Sequence, residues 1–379
     1  LTPVKILLSG PFSPFSGYGN DLIGLARALM RWGADVYLQP NAVQPPLPQD
    51  VAMLLTKELE APFDLFIQHV DPGALEITES ERRSSTVAIG WSMWEWSDLS
   101  AHPDVKTFRE RVEDFDAIVV YDQITRDGFA EHYDGPLPIL QGGFQPEEWP
   151  EVERDWHEER FGFCMVGQLH ARKGPFIAIQ AFNELKHEYP EEFAPAELHL
   201  KTHVPGLHSA MEKSYDKLRV HYENWNKETL YNFYAAQHCL LAPSKGEGKN
   251  MPALEFQSTG GVVIATNWAG MATWLDPSFS YPLDYKLVAE DQKFPTSYCA
   301  AADVEDLKRL MLHVFRNRNE AKEKGKLASA MITATKNWDK VVEDLFLRLK
   351  NTLPPAAGSL LWSQAQQCRK DTSYGSRRD

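Results

Sequence analysis

A rhythm that occurs twice constrains this chain most: short apolar run, glycine-bearing loop, amphipathic helical stretch, short apolar run. The first instance opens with Val4–Leu8, passes through the loop GPFSPFSGYGN, and continues as DLIGLARALMRWG into the run Ala34–Leu38. Asn20 or Asp21 can cap the intervening helix, and Leu22, Leu25, Ala26 and Leu29 fall on one face of it. Strand, glycine loop, helix, strand is a βαβ unit, which requires a parallel sheet. Further apolar runs at Phe63–Val70, Thr86–Ile89, Ala117–Tyr121 and Leu137–Leu140 extend it.

The second instance starts near Phe161, where FCMVG reads as a strand ending in Gly167. A helix over Pro175–His187 follows, then a strand at Glu197–Thr202. A helix from about Lys227 to Gln237, the strand Cys239–Ala242, a helix from Pro252 and the strand Val262–Thr266 come next. Residues 304–350 have a helical pattern. Between the halves lies QGGFQPEEWPEVERD, a segment suited to a hinge. With 379 residues the chain is long enough for two domains. The expected domains are residues 1–150 and 151–350, followed by a segment over 351–379 with a short helix at Leu360–Gln367 and a poorly ordered polar tail. Two such domains in tandem present the carboxyl ends of their strands to a cleft, where nucleotides or phosphorylated ligands bind.

Composition removes several alternatives. The net charge of −14 argues against a general polyanion binder. No apolar run approaches the ~18 residues needed to span a membrane, and LTPVKILLSG reads as a buried first strand, not a secretory leader. The four cysteines are far apart without CxxC spacing, as expected of reduced thiols in a cytoplasmic protein and not of a metal site.

The segment APSKGEGKNMPALEFQSTGGVVIATNWAG, residues 242–270, carries the most chemistry. A strand turns through Gly246 and Gly248 into a helix with Pro252 in its first turn, and free N–H groups at such a helix start hold phosphate. Glu247 and Glu255 beside a phosphate site call for a positive function, and accepting hydrogen bonds from sugar and ribose hydroxyls is one. In CMVGQLHARKGPFIAIQAF, residues 164–182, a strand-ending glycine is followed by Lys173 opening a helix, which suits diphosphate binding.

These segments resemble family 4 retaining glycosyltransferases. The first is similar to E-G-F-G-L-P-x-L-E-A followed by G-x-P-V-I-A-T, the second to G-R-L-x-x-x-K-G-x-x-x-x-I-x-A-F. The resemblance covers most of residues 4–350, but only 164–182 and 242–270 are specific. It implies the GT-B architecture, α/β with two Rossmann-like doubly wound parallel-sheet domains facing across a cleft. The first domain would take the acceptor and the second the nucleotide-sugar donor. It further implies that Glu247 contacts the donor sugar and Glu255 the ribose, with Lys173 and Arg172 at the diphosphate. Gly167, Gly248, Lys249, Asn250 and Met251 would line the nucleotide, with Tyr222 to Trp225 against the base. One departure is Gln168, where the family has arginine.

In the first half, Gly17 and Gly19 lack the third glycine of a dinucleotide fingerprint, which disfavours a dehydrogenase. The family implies instead a glycine pair that lets backbone approach donor or acceptor. His69, after a strand, is the expected histidine near the reaction centre. The run GWSMWEWSDLS places Trp94 and Glu95 as the expected acceptor contacts, with Trp91 and Trp96 nearby. The implied activity is retaining transfer of a sugar from a UDP- or GDP-sugar to an acceptor hydroxyl, with no metal or other cofactor. The acceptor is a glycan, a protein or a modified nucleic acid. A looser fit to bacterial cell-wall enzymes suggests a bacteriophage member working in the host cytoplasm. The rival readings are a GT-B sugar-nucleotide epimerase or hydrolase and a non-catalytic nucleotide-sugar-binding module.

Overall fold

The computed structural model describes residues 2–99, 105–202, 217–223, 225–291 and 294–375. It divides into two compact units, one made of Leu1–Phe144, Asp291–Ser297 and Lys336–Asp379, the other of Gln145–Glu290 and Tyr298–Thr335.

In the first unit, strands β1 (Lys5–Phe12), β2 (Asp35–Val43), β3 (Phe63–His69), β4 (Ser85–Ser92) and β5 (Ala117–Val120) form one sheet in the order β2-β1-β3-β4-β5. Every pairing in it is parallel. The order reverses between β1 and β3, and loops leaving those two strands diverge at their carboxyl ends. The helix Gly17–Arg31 is capped by Ser16, whose hydroxyl accepts from Gly19 N, one turn earlier than Asn20 or Asp21 would start it. Leu22, Leu25, Ala26 and Leu29 are buried on it as their spacing predicts. The run Leu137–Leu140 adds no strand; it contributes a single parallel bridge, Ile139 to Val120.

The helices Trp338–Thr352 and Pro355–Gly375 belong to this first unit, although the sequence pattern assigned residues up to 350 to the second. Their apolar faces explain it. Trp338, Val342, Leu345, Leu349, Leu361 and Ala365 lie in the same core as β1 and the helix Gly17–Arg31. Gly24 makes room for the Trp338 ring: a Cβ there would lie 2.0 Å from Trp338 Nε1. The last helix is also longer than Leu360–Gln367, and of the expected disordered tail only residues 376–379 lie outside the described residues.

In the second unit, β6 (Phe161–Val166), β7 (Ala196–Thr202), β8 (Leu218–Tyr222), β9 (Cys239–Ala242), β10 (Val262–Thr266) and β11 (Tyr281–Leu283) are ordered β11-β10-β9-β6-β7-β8. All pair in parallel. The residues of β9 and β10 are buried without alternation, as in a parallel sheet covered on both faces. Along β7, buried Leu198, Leu200 and Thr202 alternate with half-buried Glu197, His199 and Lys201. Here the order reverses between β6 and β9, so the ligand position dictated by topology is at their carboxyl ends. A two-stranded sheet, β12 (Tyr285–Asp291) and β13 (Phe294–Ala302), has no counterpart in the sequence pattern.

Candidate functional site

The loops that leave β6 and β9 bring Lys173 and Glu247 together. After β6, Gly167 takes φ 141°, and a Cβ on it would meet no atom within 4 Å, so the strand end borders open space. A single 3-10 turn, Ala171–Lys173, then ends on Gly174 at φ 71°, and the helix Pro175–Glu188 begins. Gly174 is required twice over, because a Cβ there would also lie 2.2 Å from Pro243 O. That contact holds the two loops against each other, as does the bond from Lys245 N to Arg172 O at 2.8 Å.

Lys173 Nζ donates to Glu247 Oε1 at 2.6 Å and to Oε2 at 2.7 Å. Ser244 Oγ donates to Glu247 Oε1 at 2.8 Å. The Arg172 guanidinium donates to Gly246 O and stands 3.7 Å from Glu247 Oε2. Burial alone would raise the Glu247 carboxyl, but the charges of Lys173 and Arg172 outweigh it and hold the group below its usual range. The result is a buried carboxylate with two cations on it, at the site where topology puts a ligand. Arg172 therefore shapes the Gly246 turn as well as supplying charge.

The helix Met251–Ser258 rises from the same loop. Its first residue follows Asn250, which has φ 61° and gives no side-chain cap. Lys249 is buried, and its carbonyl accepts from Trp274 Nε1 at 2.9 Å. Gly270 lets the 246–250 loop pack closely, since a Cβ on it would lie 1.8 Å from Gly248 O. One turn into the helix, Glu255 accepts from Tyr234 Oη at 3.0 Å. Burial pushes the Glu255 carboxyl up to about 7 despite that bond and the charges of Lys227 and Lys249. Two glutamates on one loop and helix thus sit in opposite electrostatic states. Tyr222 ends β8 and is 38% exposed; Trp225 packs in a tilted arrangement against His221 and Phe233, ring centres 5.3 and 5.1 Å away, with Lys201 Nζ 5.6 Å from its ring.

The remaining expected residues are in the first unit. His69 ends β3, fully buried. Its Nδ1 donates to Trp91 O at 2.8 Å, so Nε2 faces Tyr121 Oη at 3.3 Å and Asp21 Oδ2 at 3.6 Å. Tyr121 in turn donates to Asp21 Oδ2. Burial, then the Asp21 charge, raises the Tyr121 hydroxyl well above its usual range. Gly17 and Gly19 form the first turn of the helix Gly17–Arg31, and a Cβ on Gly19 would lie 2.5 Å from Ser13 N. Gly17 borders only Met93 Cε, at 3.9 Å. Trp94 is 8% exposed within an apolar core, 4.8 Å from Trp96, while Glu95 beside it is half-buried. Trp91 is wholly core, its Nε1 donating to Leu140 O at 3.1 Å.

Sequence patterns did not point to Ser244 or Tyr234, whereas Gly174 falls on the glycine of the lysine-glycine pair. Ser244, three residues before Glu247, was within reach of a turn argument. Tyr234 reads as one more aromatic on a helix, and only the packing reveals that its hydroxyl meets Glu255. Among the described residues, no group of three or more histidines, cysteines or carboxylates is placed to hold a metal ion, and no helix is long and apolar enough to cross a membrane.

No curated protein matches the sequence. Solved structures do match the fold. OtsA in its apo form aligns with TM-score 0.66 and 12% identity over 93% of this chain and 100% of that one. Sucrose-phosphate synthase from Thermosynechococcus elongatus aligns with TM-score 0.63 and 14% identity over 90% and 97%. Anabaena HepE in complex with UDP-glucose aligns with TM-score 0.60 and 13% identity over 92% and 99%. The two parallel-sheet α/β domains are thus of the GT-B type. Residues 160–302, which hold β6 through β13 and the whole Lys173–Glu247 cluster, match the family model described as glycosyl transferases group 1.

Proposed function

We propose that the protein is a retaining glycosyltransferase that moves a sugar from a UDP- or GDP-sugar to an acceptor hydroxyl. The observation that carries this reading is the buried Glu247 carboxylate with Lys173, Arg172 and Ser244 on it, at the β6/β9 reversal of the domain that matches the family. HepE, of similar fold, is solved with UDP-glucose.

In this reading Lys173 and the backbone at Gly248–Met251 stabilise the negative charge that grows on the departing diphosphate. Preorganised donors of this kind reorganise little during the reaction. Arg172 holds the Gly246 turn and adds to the positive field. Glu247 accepts from the donor sugar and Glu255 from the ribose, which fixes the anomeric carbon for attack. The acceptor is taken by the residue 1–150 side, with His69 and Glu95 as its candidate contacts, and the reaction runs in the cytoplasm without a metal.

The test is a thermal-shift panel of UDP- and GDP-sugars, since a ligand that binds the folded state raises apparent stability by mass action. The sugar that shifts the transition is then incubated with candidate acceptors, and the anomeric configuration of the product is read by NMR. Retention supports the reading and inversion refutes the retaining mechanism. Equal nucleotide release with and without every acceptor would favour a hydrolase.

A further inference from the structure

Arg154 lies in the segment between the last residue of the first unit's opening stretch, Phe144, and β6, outside the span matched by the family model. It is buried, yet its four hydrogen bonds all go to neutral oxygens. Nε donates to Gln237 O at 2.8 Å, Nη1 to Thr259 O, and Nη2 to Tyr234 O at 3.1 Å and Thr259 Oγ1 at 2.5 Å. The guanidinium also lies over the Phe256 ring, 5.2 Å from its centre. Burial lowers its pKa only to about 10, so it stays charged at neutral pH.

Those acceptors are the ends of two helices. Tyr234 and Gln237 close the helix Lys227–Ala235, and Thr259 is the C-cap of Met251–Ser258. Last-turn carbonyls lack helical partners and carry the negative end of the helix dipole. One planar, five-donor cation therefore ties two helix C-termini together, a task that a lysine's single ammonium cannot reproduce. The same two helices bear Tyr234 and Glu255, whose hydrogen bond crosses between them at 3.0 Å. Thr259 N donates to Glu255 O at 3.2 Å, so the clamp is one turn from the carboxylate it steadies.

We infer that Arg154 is a positioning residue: by fastening both helix C-termini it sets Glu255 and Tyr234 for recognition of the nucleotide's ribose hydroxyls. The inference rests on the nucleotide-sugar reading above and adds to it a residue outside the site. Because Arg154 acts through Glu255, its loss should erase ribose selectivity while sparing contacts to the diphosphate.

The experiment is calorimetry of UDP and GDP, each against its 2′,3′-dideoxy form, on wild type, Arg154→Lys and the milder Thr259→Val. Wild type should favour the ribose form of the nucleotide it binds by about tenfold or more, the worth of hydrogen bonds to a charged acceptor. In Arg154→Lys that preference should fall to within about threefold, with the dideoxy affinity unchanged. Thr259→Val, which removes one acceptor of the clamp, should lie between them. A folded Arg154→Lys that keeps the wild-type preference overturns the inference; should it not fold, an undiminished preference in Thr259→Val does so. A wild type that binds nucleotide without ribose preference refutes the ribose role of Glu255 instead, and one that binds neither nucleotide refutes the donor reading itself. The inference falls with either.

Discussion

Lys173 and Glu247 are joined by both carboxylate oxygens, Nζ lying 2.6 Å from one and 2.7 Å from the other. The cation proposed for the diphosphate is thus already neutralised by the carboxylate proposed for the sugar. A donor that reaches both must loosen this pair, and the strength of the pair sets how strongly Lys173 is offered to phosphate.

Replacing Glu247 by Gln tests that balance. The charge of Lys173 would no longer be met by a carboxylate, so nucleoside diphosphate should bind more tightly, by about tenfold. Transfer should fall by at least about as much, because a neutral amide is a weaker acceptor for the sugar hydroxyl. Calorimetry and initial rates on the same preparation decide. Weaker binding together with unchanged transfer would separate Glu247 from the donor.

Lys173→Met should reduce transfer by roughly 100- to 1,000-fold, the usual cost of losing a donor to a developing oxyanion. It should also destabilise the fold, because Glu247 keeps its burial and loses its principal partner. The double variant Lys173→Met with Glu247→Gln removes both charges and should melt above the single Lys173→Met variant. If the double variant melts lower still, the pair is not the source of the loss.

Glu255 offers a pH test. Its carboxyl is pushed up to about 7 by burial, whereas an unfolded glutamate titrates near 4.5. Between those values the folded state binds more protons, so stability must fall as pH rises from about 4.5 to 7, by a few kcal/mol in all. Above 7 the penalty is fully present and changes no further. Ribose hydroxyls that donate to the ionised form favour that form, so nucleotide affinity should rise across the same range. In Glu255→Gln both dependences should shrink. Urea unfolding and nucleotide titrations at pH 5, 6, 7 and 8 measure them, and an unchanged pH slope in Glu255→Gln would assign the effect elsewhere.

How much of this was readable in the sequence follows from what each residue touches. β1 through the helix Gly17–Arg31 to β2, and β6 through Lys173 to the helix Pro175–Glu188, are set by local periodicity, and the structure keeps both. The placement of Glu247 in the loop and of Glu255 about one turn into the helix was legible because loop chemistry and spacing are local. The return of Lys336–Gly375 to the first unit was not, since it depends on Trp338 meeting Gly24, a contact between residues 314 positions apart in sequence. Arg154 was hidden for the same reason: a lone arginine in a Glu- and Pro-rich hinge looks solvated until two helix ends are seen to converge on it. Trp94 is an expected acceptor contact by its sequence context, but a tryptophan's apolar area serves a core equally well, and here it is buried in one.

Gly174→Ala should be poorly tolerated. Its φ of 71° is costly for an L-residue, by about 1–2 kcal/mol. The added Cβ must also push away Pro243 O. Because Lys173 immediately precedes it and Pro243 leads into Ser244, relief of the clash would part Lys173 from Glu247. Thermal unfolding should show the lost stability, and nucleotide affinity should fall with it. A variant equally stable and equally tight would mean the two loops can separate without consequence.

The last prediction separates Trp94 from Glu95. Trp94 gives its Nε1 proton to Asp98 O, and its carbonyl accepts from Thr125 Oγ1 at 3.2 Å, so it is tied into the first unit's core at both ends. Trp94→Phe should therefore lower stability by about 1–2 kcal/mol and leave donor binding alone. Glu95 is different. After burial, its charge is the largest influence raising the hydroxyl of Tyr18, and Tyr18 packs 4.9 Å from the His69 ring. Glu95 thus bears on Tyr18, which borders the His69 ring on the side proposed for the acceptor. Glu95→Gln keeps the size and removes the charge. It should slow transfer to the true acceptor several-fold while the affinity for nucleotide sugar stays within about twofold of wild type. Weakened donor binding with normal acceptor saturation would put Glu95 with the donor, and a variant normal in both would leave it a surface carboxylate with no part in the reaction.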